Sequence, residues 1–171
     1  MVSLVPSGIV LGLAALAAIG LATRRWSPPE KLEARQGAAR VLLLAIGAQT
    51  IHFLEEWATG FDTGLGELLG LPPMPRPFFV AFNLAWLGVW AISVPGVRSG
   101  RAPSYFAAWF LAIAGTVNGV AHPALALASG SYFPGLASSP LIGATGAWLW
   151  WRLHRATEAG SYSSATNRNS R

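Results

Sequence analysis

Three ionisable side chains, His52, Glu55 and Glu56, fall inside an apolar run that extends over residues 41–59. A helix turns about 100° per residue, so positions three or four apart share a face, and these three are expected to point in one general direction. Gln49 lies one turn earlier on that side. An ionised side chain at the centre of a membrane helix costs about 2.5–3.5 kcal/mol, so such a stripe predicts a functional site.

Histidine and carboxylate side chains are ligands for zinc, iron or manganese. A later histidine, His122, extends the candidate ligand set to His52, Glu55, Glu56 and His122. Metal sites in helix bundles often use a Glu-x-x-His pair, and here the order is reversed to His-x-x-Glu. A divalent metal (Zn, Fe or Mn) is therefore one cofactor hypothesis for this stripe.

The same residues suit chemistry without a metal. A carboxylic acid held in an apolar pocket stays protonated near neutral pH and can donate a proton, while a neighbouring carboxylate acts as the base. Proton relay in a transporter is a third use, but the chain has neither an internal repeat nor a pair of broken helices. A purely structural role for the stripe is the remaining alternative.

Other apolar runs carry polar residues that are expected at a similar membrane depth. Counting about 1.5 Å per residue places Asn83 and Asn118 level with the two glutamates, with His52 below them and His122 above. Polar groups in hydrocarbon seek each other, which predicts one shared pocket. The two asparagines could instead act only as hydrogen bonds between helices.

The composition places most of the chain away from water. Of 171 residues, 53% are hydrophobic and only 11% are charged, about half the charged fraction of a soluble domain. There is no cysteine, which excludes disulfides and thiolate sites. The net charge of +5 is spread over connecting segments and not over one face, so no nucleic-acid partner is expected.

Five apolar runs predict an all-α, polytopic membrane helix bundle with about five transmembrane helices. Their expected bounds are 3–23, 41–59, 77–96, 104–128 and 136–151. Lys and Arg concentrate in alternate connections, so the positive-inside rule predicts the N-terminus outside and the C-terminus inside. No basic residue precedes the first run, whereas Arg24 and Arg25 follow it, which favours a retained helix over a cleaved signal peptide.

The predicted organisation is one membrane bundle over residues 1–155 and a mobile cytoplasmic tail over residues 156–171, which is polar and rich in Ser and Asn. The partners expected are the lipid bilayer and an apolar small molecule. The bias towards Arg and Ala suggests a bacterial source, and hence a multi-pass protein of the bacterial cytoplasmic membrane.

The segment "HFLEE", residues 52–56, resembles the defining motif of the HXXEE integral-membrane proteins. The later "NGVAHPALALASGSYFPG" is similar to the second block of that family, with Asn118, His122, Tyr132, Pro134 and Gly135 at matching places. The resemblance covers residues 41–151. It implies a membrane protein with a site at these positions and no particular reaction.

A second likeness is to the sterol isomerases of the emopamil-binding type. Their Ile-His-x-x-x-Glu run followed by Trp is similar to Ile51, His52, Glu56 and Trp57 here. That likeness implies a double-bond shift through a protonated alkene, with His52 and Glu56 as the acid-base pair. In a bacterium, a terpenoid or other lipid is expected as the substrate in place of a sterol.

The leading hypothesis is a lipid- or isoprenoid-modifying enzyme with acid-base chemistry at His52, Glu55 and Glu56. The residues expected to bind or orient the substrate are Asn83, Asn118, His122, Trp57 and Tyr132. A metal-dependent membrane enzyme with the same His and Glu residues is the first alternative. A non-catalytic membrane protein that binds a hydrophobic ligand or a partner is the second.

Overall fold

The computed structural model describes residues 4–159, and it is an all-α helical bundle. Six α-helices follow in chain order: α1 (Leu4–Arg24), α2 (Leu32–Thr59), α3 (Phe61–Leu69), α4 (Arg76–Arg98), α5 (Ala102–Ser129) and α6 (Ser139–Ala156). A 3-10 turn at Pro29–Lys31 precedes α2. Two short strands, β1 (Arg25–Trp26) and β2 (Glu158–Ala159), pair antiparallel.

Four of these helices are long and apolar enough to cross a membrane: α1, α2 with its preceding turn, α4 and α5. The fifth apolar run of the sequence forms α6, which continues through Arg152 and Arg155 and is not among these four. The chain is thus a multi-pass membrane protein whose bundle also includes α6, packed against α5 and α2.

The second helix begins earlier than the sequence analysis expected, at Leu32 and not near residue 41. The charged residues between positions 32 and 41 were predicted to belong to a connection. The prolines that interrupt a helix, Pro28 and Pro29, lie before this stretch. The helical Arg35 is buried and donates hydrogen bonds to the carbonyls of Pro28 and Pro29, at 3.0 and 2.7 Å. These bonds give its guanidinium two carbonyl partners inside the bundle, whereas its buried Nε has no hydrogen-bond partner among the described residues.

The basic residues of the described chain, except Arg76, collect towards one end of the bundle. Because β1 follows α1 and β2 follows α6, their pairing brings the C-terminal ends of these two helices together. The turn between α4 and α5 lies at the same end, since Gly100 packs against Arg35. Residues 158 and 159, at the start of the predicted tail, belong to this paired strand, and the tail beyond them lies outside the described residues.

The core runs along α5, where Trp109 and Leu111 are fully buried between α1, α2, α4 and α6. Glycines allow α5 and α6 to approach at backbone distance, as small residues do between membrane helices. A Cβ atom on Gly119 would lie 2.6 Å from the Cα of Gly143. This close approach fixes the position of α6 and of the loop that precedes it.

Gly119→Ala is therefore expected to destabilise the protein by about 1–3 kcal/mol, the usual cost of overpacking. The obstacle is backbone, which cannot rotate away as a side chain would. Gly88→Ala in α4 is the matched control, because its Cβ would meet nothing within 4 Å. Thermal unfolding in detergent should show a lower Tm for the first variant only, and equal Tm values would contradict the close packing.

Candidate functional site

His52 and Glu56 are brought onto one face of α2 by their i, i+4 spacing, and His122 of α5 faces them. The exposed fractions are 0% for His52, 6% for Glu56 and 2% for His122. Three side-chain atoms that could bind one metal ion converge here. His52 Nε2 lies 3.2 Å from His122 Nε2 and 3.6 Å from Glu56 Oε1. The third side, from His122 Nε2 to Glu56 Oε1, is 3.4 Å. We refer to His52, Glu56 and His122 as the buried triad.

The outer nitrogen of His122 fixes which tautomer the ring adopts. Its Nδ1 lies 2.6 Å from the carbonyl oxygen of Pro134, and a carbonyl oxygen can only accept a hydrogen bond. Nδ1 must therefore carry the proton and donate it. In the neutral ring, Nε2 is then left with a free lone pair that points into the buried triad.

His52 is held in the same way through a chain of hydrogen bonds. Its Nδ1 lies 2.8 Å from Ser138 Oγ, and the Ser138 hydroxyl is also a hydrogen-bond partner of the Glu55 side chain. Because a carboxylate only accepts, Ser138 donates to Glu55 and accepts from His52 Nδ1. The Nε2 lone pair of His52 then also points towards Glu56 and His122.

Glu55 does not join the buried triad, although it was one of the four candidate metal ligands predicted from the sequence. Adjacent residues on a helix diverge by about 100°, so Glu55 turns away from Glu56. It accepts hydrogen bonds from the backbone N–H groups of Ala137 at 2.8 Å and Ser138 at 2.7 Å. The hydroxyl of Tyr132 donates to it as well. Glu55 thus anchors the loop of residues 131–138 to α2.

Tyr132, which was predicted to bind substrate, donates a hydrogen bond to Glu55 and so helps to hold the loop against α2. Burial, and after it the hydrogen bond and the negative charge of Glu55, raise the pKa of the Tyr132 phenol above its ordinary value. The phenol therefore stays protonated and remains a donor at any physiological pH.

The glycine after Pro134 lets the loop reach both imidazoles. Gly135 has φ +88, a left-handed conformation that side chains rarely adopt. A Cβ atom there would lie 2.6 Å from His122 Cε1 and Nδ1 and 2.9 Å from His52 Cε1. The backbone of this residue is thus pressed against both rings and leaves them no room to turn.

Asn83 and Asn118 line a cavity of about 650 Å³, as do Gln49, Glu56 and His122. Asn83 donates a hydrogen bond to the carbonyl of Phe79 within its own helix, at 3.0 Å. Trp57 lies elsewhere: its side chain is 46% exposed at the surface of α2 and is not among the cavity residues.

Sequence reasoning missed an aromatic face of α4 that lines the same cavity. Phe78, Phe82, Trp86 and Trp90 recur every four residues, and Phe110 of α5 lies against Trp86 with ring centroids 4.3 Å apart. The spacing of four was visible in the sequence and indicates one helix face. We refer to these five residues as the aromatic ladder.

The short helix α3 covers the triad end of the cavity. Its Phe61 packs 5.7 Å from the His122 ring and 5.9 Å from the Phe79 ring, measured between centroids. Asp62 is buried and accepts hydrogen bonds from Arg76 Nε at 3.0 Å and Nη2 at 3.3 Å. This ion pair ties α3 to the first turn of α4.

Fold and site together define a multi-pass membrane protein with a buried His/Glu cluster beside a large apolar cavity. The chain belongs to the family described as "Protein of unknown function with HXXEE motif", whose family model matches residues 43–149. The resemblance seen in the "HFLEE" segment is thereby confirmed, whereas nothing supports the likeness to emopamil-binding-type isomerases. No curated protein and no solved structure shows a significant match to the chain.

Proposed function

We propose that the buried triad holds a divalent metal ion, zinc being the best fit, in a membrane enzyme that acts on a lipid or isoprenoid substrate. The supporting observation is the triangle of 3.2, 3.4 and 3.6 Å between the three donor atoms. Ligands at about 2.0–2.1 Å from a tetrahedral zinc are about 3.3–3.4 Å apart. Two histidines and one glutamate with an open fourth position are also a known catalytic zinc set.

The hydrogen bonds around the triad favour the same proposal. Metal-bound histidines almost always donate their other N–H to a carbonyl or carboxylate, which fixes the tautomer that offers a lone pair to the metal. His122 does so directly to Pro134, and His52 does so through Ser138 to Glu55. A metal held here would act as a Lewis acid towards a substrate oxygen or lower the pKa of a bound water.

A second candidate is acid-base chemistry without a metal, the leading hypothesis of the sequence analysis. The 3.2 Å separation of the two Nε2 atoms is short enough for one shared proton between the imidazoles. Because both Nδ1 atoms already carry protons, the pair would then hold one positive charge. Glu56 could then act as the acid or base towards a substrate in the cavity. The two candidates share their residues and differ in metal content.

Metal content therefore tests the proposal. The full chain is purified in mild detergent without a histidine tag or chelators, and zinc, iron and manganese are measured by mass spectrometry. We expect close to one metal ion per chain. Protein that stays metal-free after incubation with each ion, yet is folded, would overturn the metal proposal in favour of the acid-base candidate.

Glu55→Ala is expected to weaken metal binding by about 10–100-fold, the usual effect of losing an outer hydrogen-bond partner of a ligand. All three ligands remain, but Ser138 loses its acceptor and the loop of residues 131–138 loses its anchor. A chelator competition titration measures the change. Glu67→Ala, at an exposed position of α3, is the matched control and should bind as the native chain does. An unchanged affinity for both would exclude the anchoring role.

The positive-inside rule assigns the basic end of the bundle to the cytoplasm. The buried triad lies at the other end, so in this proposal its chemistry takes place in the outer half of the membrane.

A further inference from the structure

The cavity beside the triad is built for an apolar chain. Its volume is about 650 Å³, and the aromatic ladder forms part of its wall along α4 and α5. Successive ring centroids along α4 are 6.0, 6.5 and 5.5 Å apart, so the rings form one continuous surface. Such a surface offers a hydrocarbon chain contact with aromatic rings. The indole N–H of Trp90 already donates to the carbonyl of Ala107, at 3.0 Å.

The part of this surface that a chain can occupy begins at the polar groups. Asn83 lies between Phe82 and Trp86 on α4, so Trp86, Trp90 and Phe110 are the ladder residues on its basic side. Asn83 and Trp90 are seven positions apart, which is about 10 Å at 1.5 Å per residue. Half of a hydrocarbon core of about 30 Å is about 15 Å, so this part of the ladder would contact about two-thirds of one lipid chain.

The polar groups of the cavity lie towards one end of the bundle. Glu56 is in the last turn of α2, which ends at Thr59, and α3 follows directly after Gly60. From Asn83 the ladder continues along α4 through Trp86 to Trp90, which is in the half of that helix nearer the basic end. A lipid in this cavity would thus have its head towards the triad end and its chain towards the basic end, the direction that lipids of that leaflet already have.

The route into the cavity is from the side. α3 covers the end that faces water, through Phe61, Leu65 and Leu69. α1 packs against α5, and α4 packs against α2 and α5, so the cavity lies between α1 and α4 with Pro6 and Leu11 of α1 in its wall. The cavity is partly open, and Phe78 at its α4 edge is 47% exposed.

We infer that the substrate is a single-chain membrane amphiphile that enters laterally between α1 and α4, without turning over, and lays its chain along the aromatic ladder. Its polar head then reaches Asn83, Asn118 and the buried triad. That the head is the reacting end rests on the proposed function, whereas the chain site rests on the cavity alone.

The test uses the full chain in vesicles of phosphatidylcholine and phosphatidylglycerol, with hexadecanol that carries a photoreactive diazirine. One probe bears the diazirine beside the hydroxyl and a second bears it near the methyl end. After illumination, the labelled residues are located by mass spectrometry. We expect the methyl-end probe on Trp86, Trp90 or Phe110, and the hydroxyl-end probe around Asn83 and Asn118.

A variant that fills the cavity distinguishes labelling inside this site from labelling of the lipid-facing surface. Ala114→Trp places an indole in the cavity between Phe110 and Asn118, and ladder labelling should fall about tenfold. Val120→Trp is the matched control, since Val120 is on the same helix and 70% exposed. Ala121→Phe, also in the lining, replaces the first variant if that one does not fold.

Labelling confined to outward positions such as Ile92 and Leu127, which are 75% and 85% exposed, would overturn the inference, as would ladder labelling that Ala114→Trp leaves unchanged. Metal content is measured on the same samples. A labelled ladder in metal-free protein would refute the proposed metal function and leave the chain site standing. Bound metal with an unlabelled ladder would refute the chain site alone.

Discussion

Glu56→Gln is expected to remove the bound metal. The substitution keeps the size of the side chain but replaces the carboxylate with a neutral amide, which is a poor ligand for zinc. Glu56 is only 6% exposed, so bulk water has little access to take the place of its carboxylate as a ligand. We expect the metal affinity to fall by more than about a hundredfold, beyond the range that applies when only an outer partner of a ligand is lost. Metal per chain and chelator competition measure the loss.

Glu67→Gln makes the same chemical change at an exposed position of α3 and should keep its metal. The fold of Glu56→Gln itself should survive, because a neutral side chain is easier to bury than a carboxylate. A folded Glu56→Gln protein that retains a full complement of metal would show that the carboxylate is not a ligand. The triad would then supply only the two histidines as ligands.

The sequence was sufficient to predict the membrane bundle and the meeting of α2 with α5. Apolar runs and the i, i+4 spacing of His52 and Glu56 depend only on helix geometry, which does not vary between proteins. Counting residues along each predicted helix also placed His122 at a similar membrane depth. It was expected above the level of the glutamates and asparagines, and His52 below that level. In the structure, the two Nε2 atoms are 3.2 Å apart.

The role of Glu55 could not be predicted, because it depends on a loop and not on a helix. Two of its partners are backbone N–H groups of residues 137 and 138, which carry no side-chain signal. The other two are the hydroxyls of Tyr132 and Ser138, which only the fold of the loop brings to Glu55. The predicted start of α2, near residue 41, was wrong for a different reason. Charged residues were read as a connection, but the buried Arg35 finds carbonyl partners inside the protein and permits the helix to continue.

The same loop carries the second large prediction, that Gly135→Ala disrupts the site without touching any ligand. A residue with a side chain costs about 1–3 kcal/mol at the φ of +88 that this position requires. The added methyl group would also lie 2.6 Å from His122 and 2.9 Å from His52, closer than carbon atoms can approach. Both rings must move, and His122 must lengthen its bond to Pro134. We expect a lower Tm together with a loss of metal affinity of about 10–100-fold.

Gly130→Ala separates the two causes of this effect. Gly130 ends α5 at φ +65, so it carries a similar backbone cost, but a Cβ atom there would meet nothing within 4 Å. It should lower the Tm and leave metal affinity unchanged. If the two variants lost metal equally, the effect of Gly135→Ala would be one of general stability. If only Gly135→Ala lost metal affinity, the contact of the residue 135 backbone with both imidazoles would be what holds their Nε2 lone pairs towards Glu56. The loop of residues 131–138 would then be as much a part of the site as the histidines themselves.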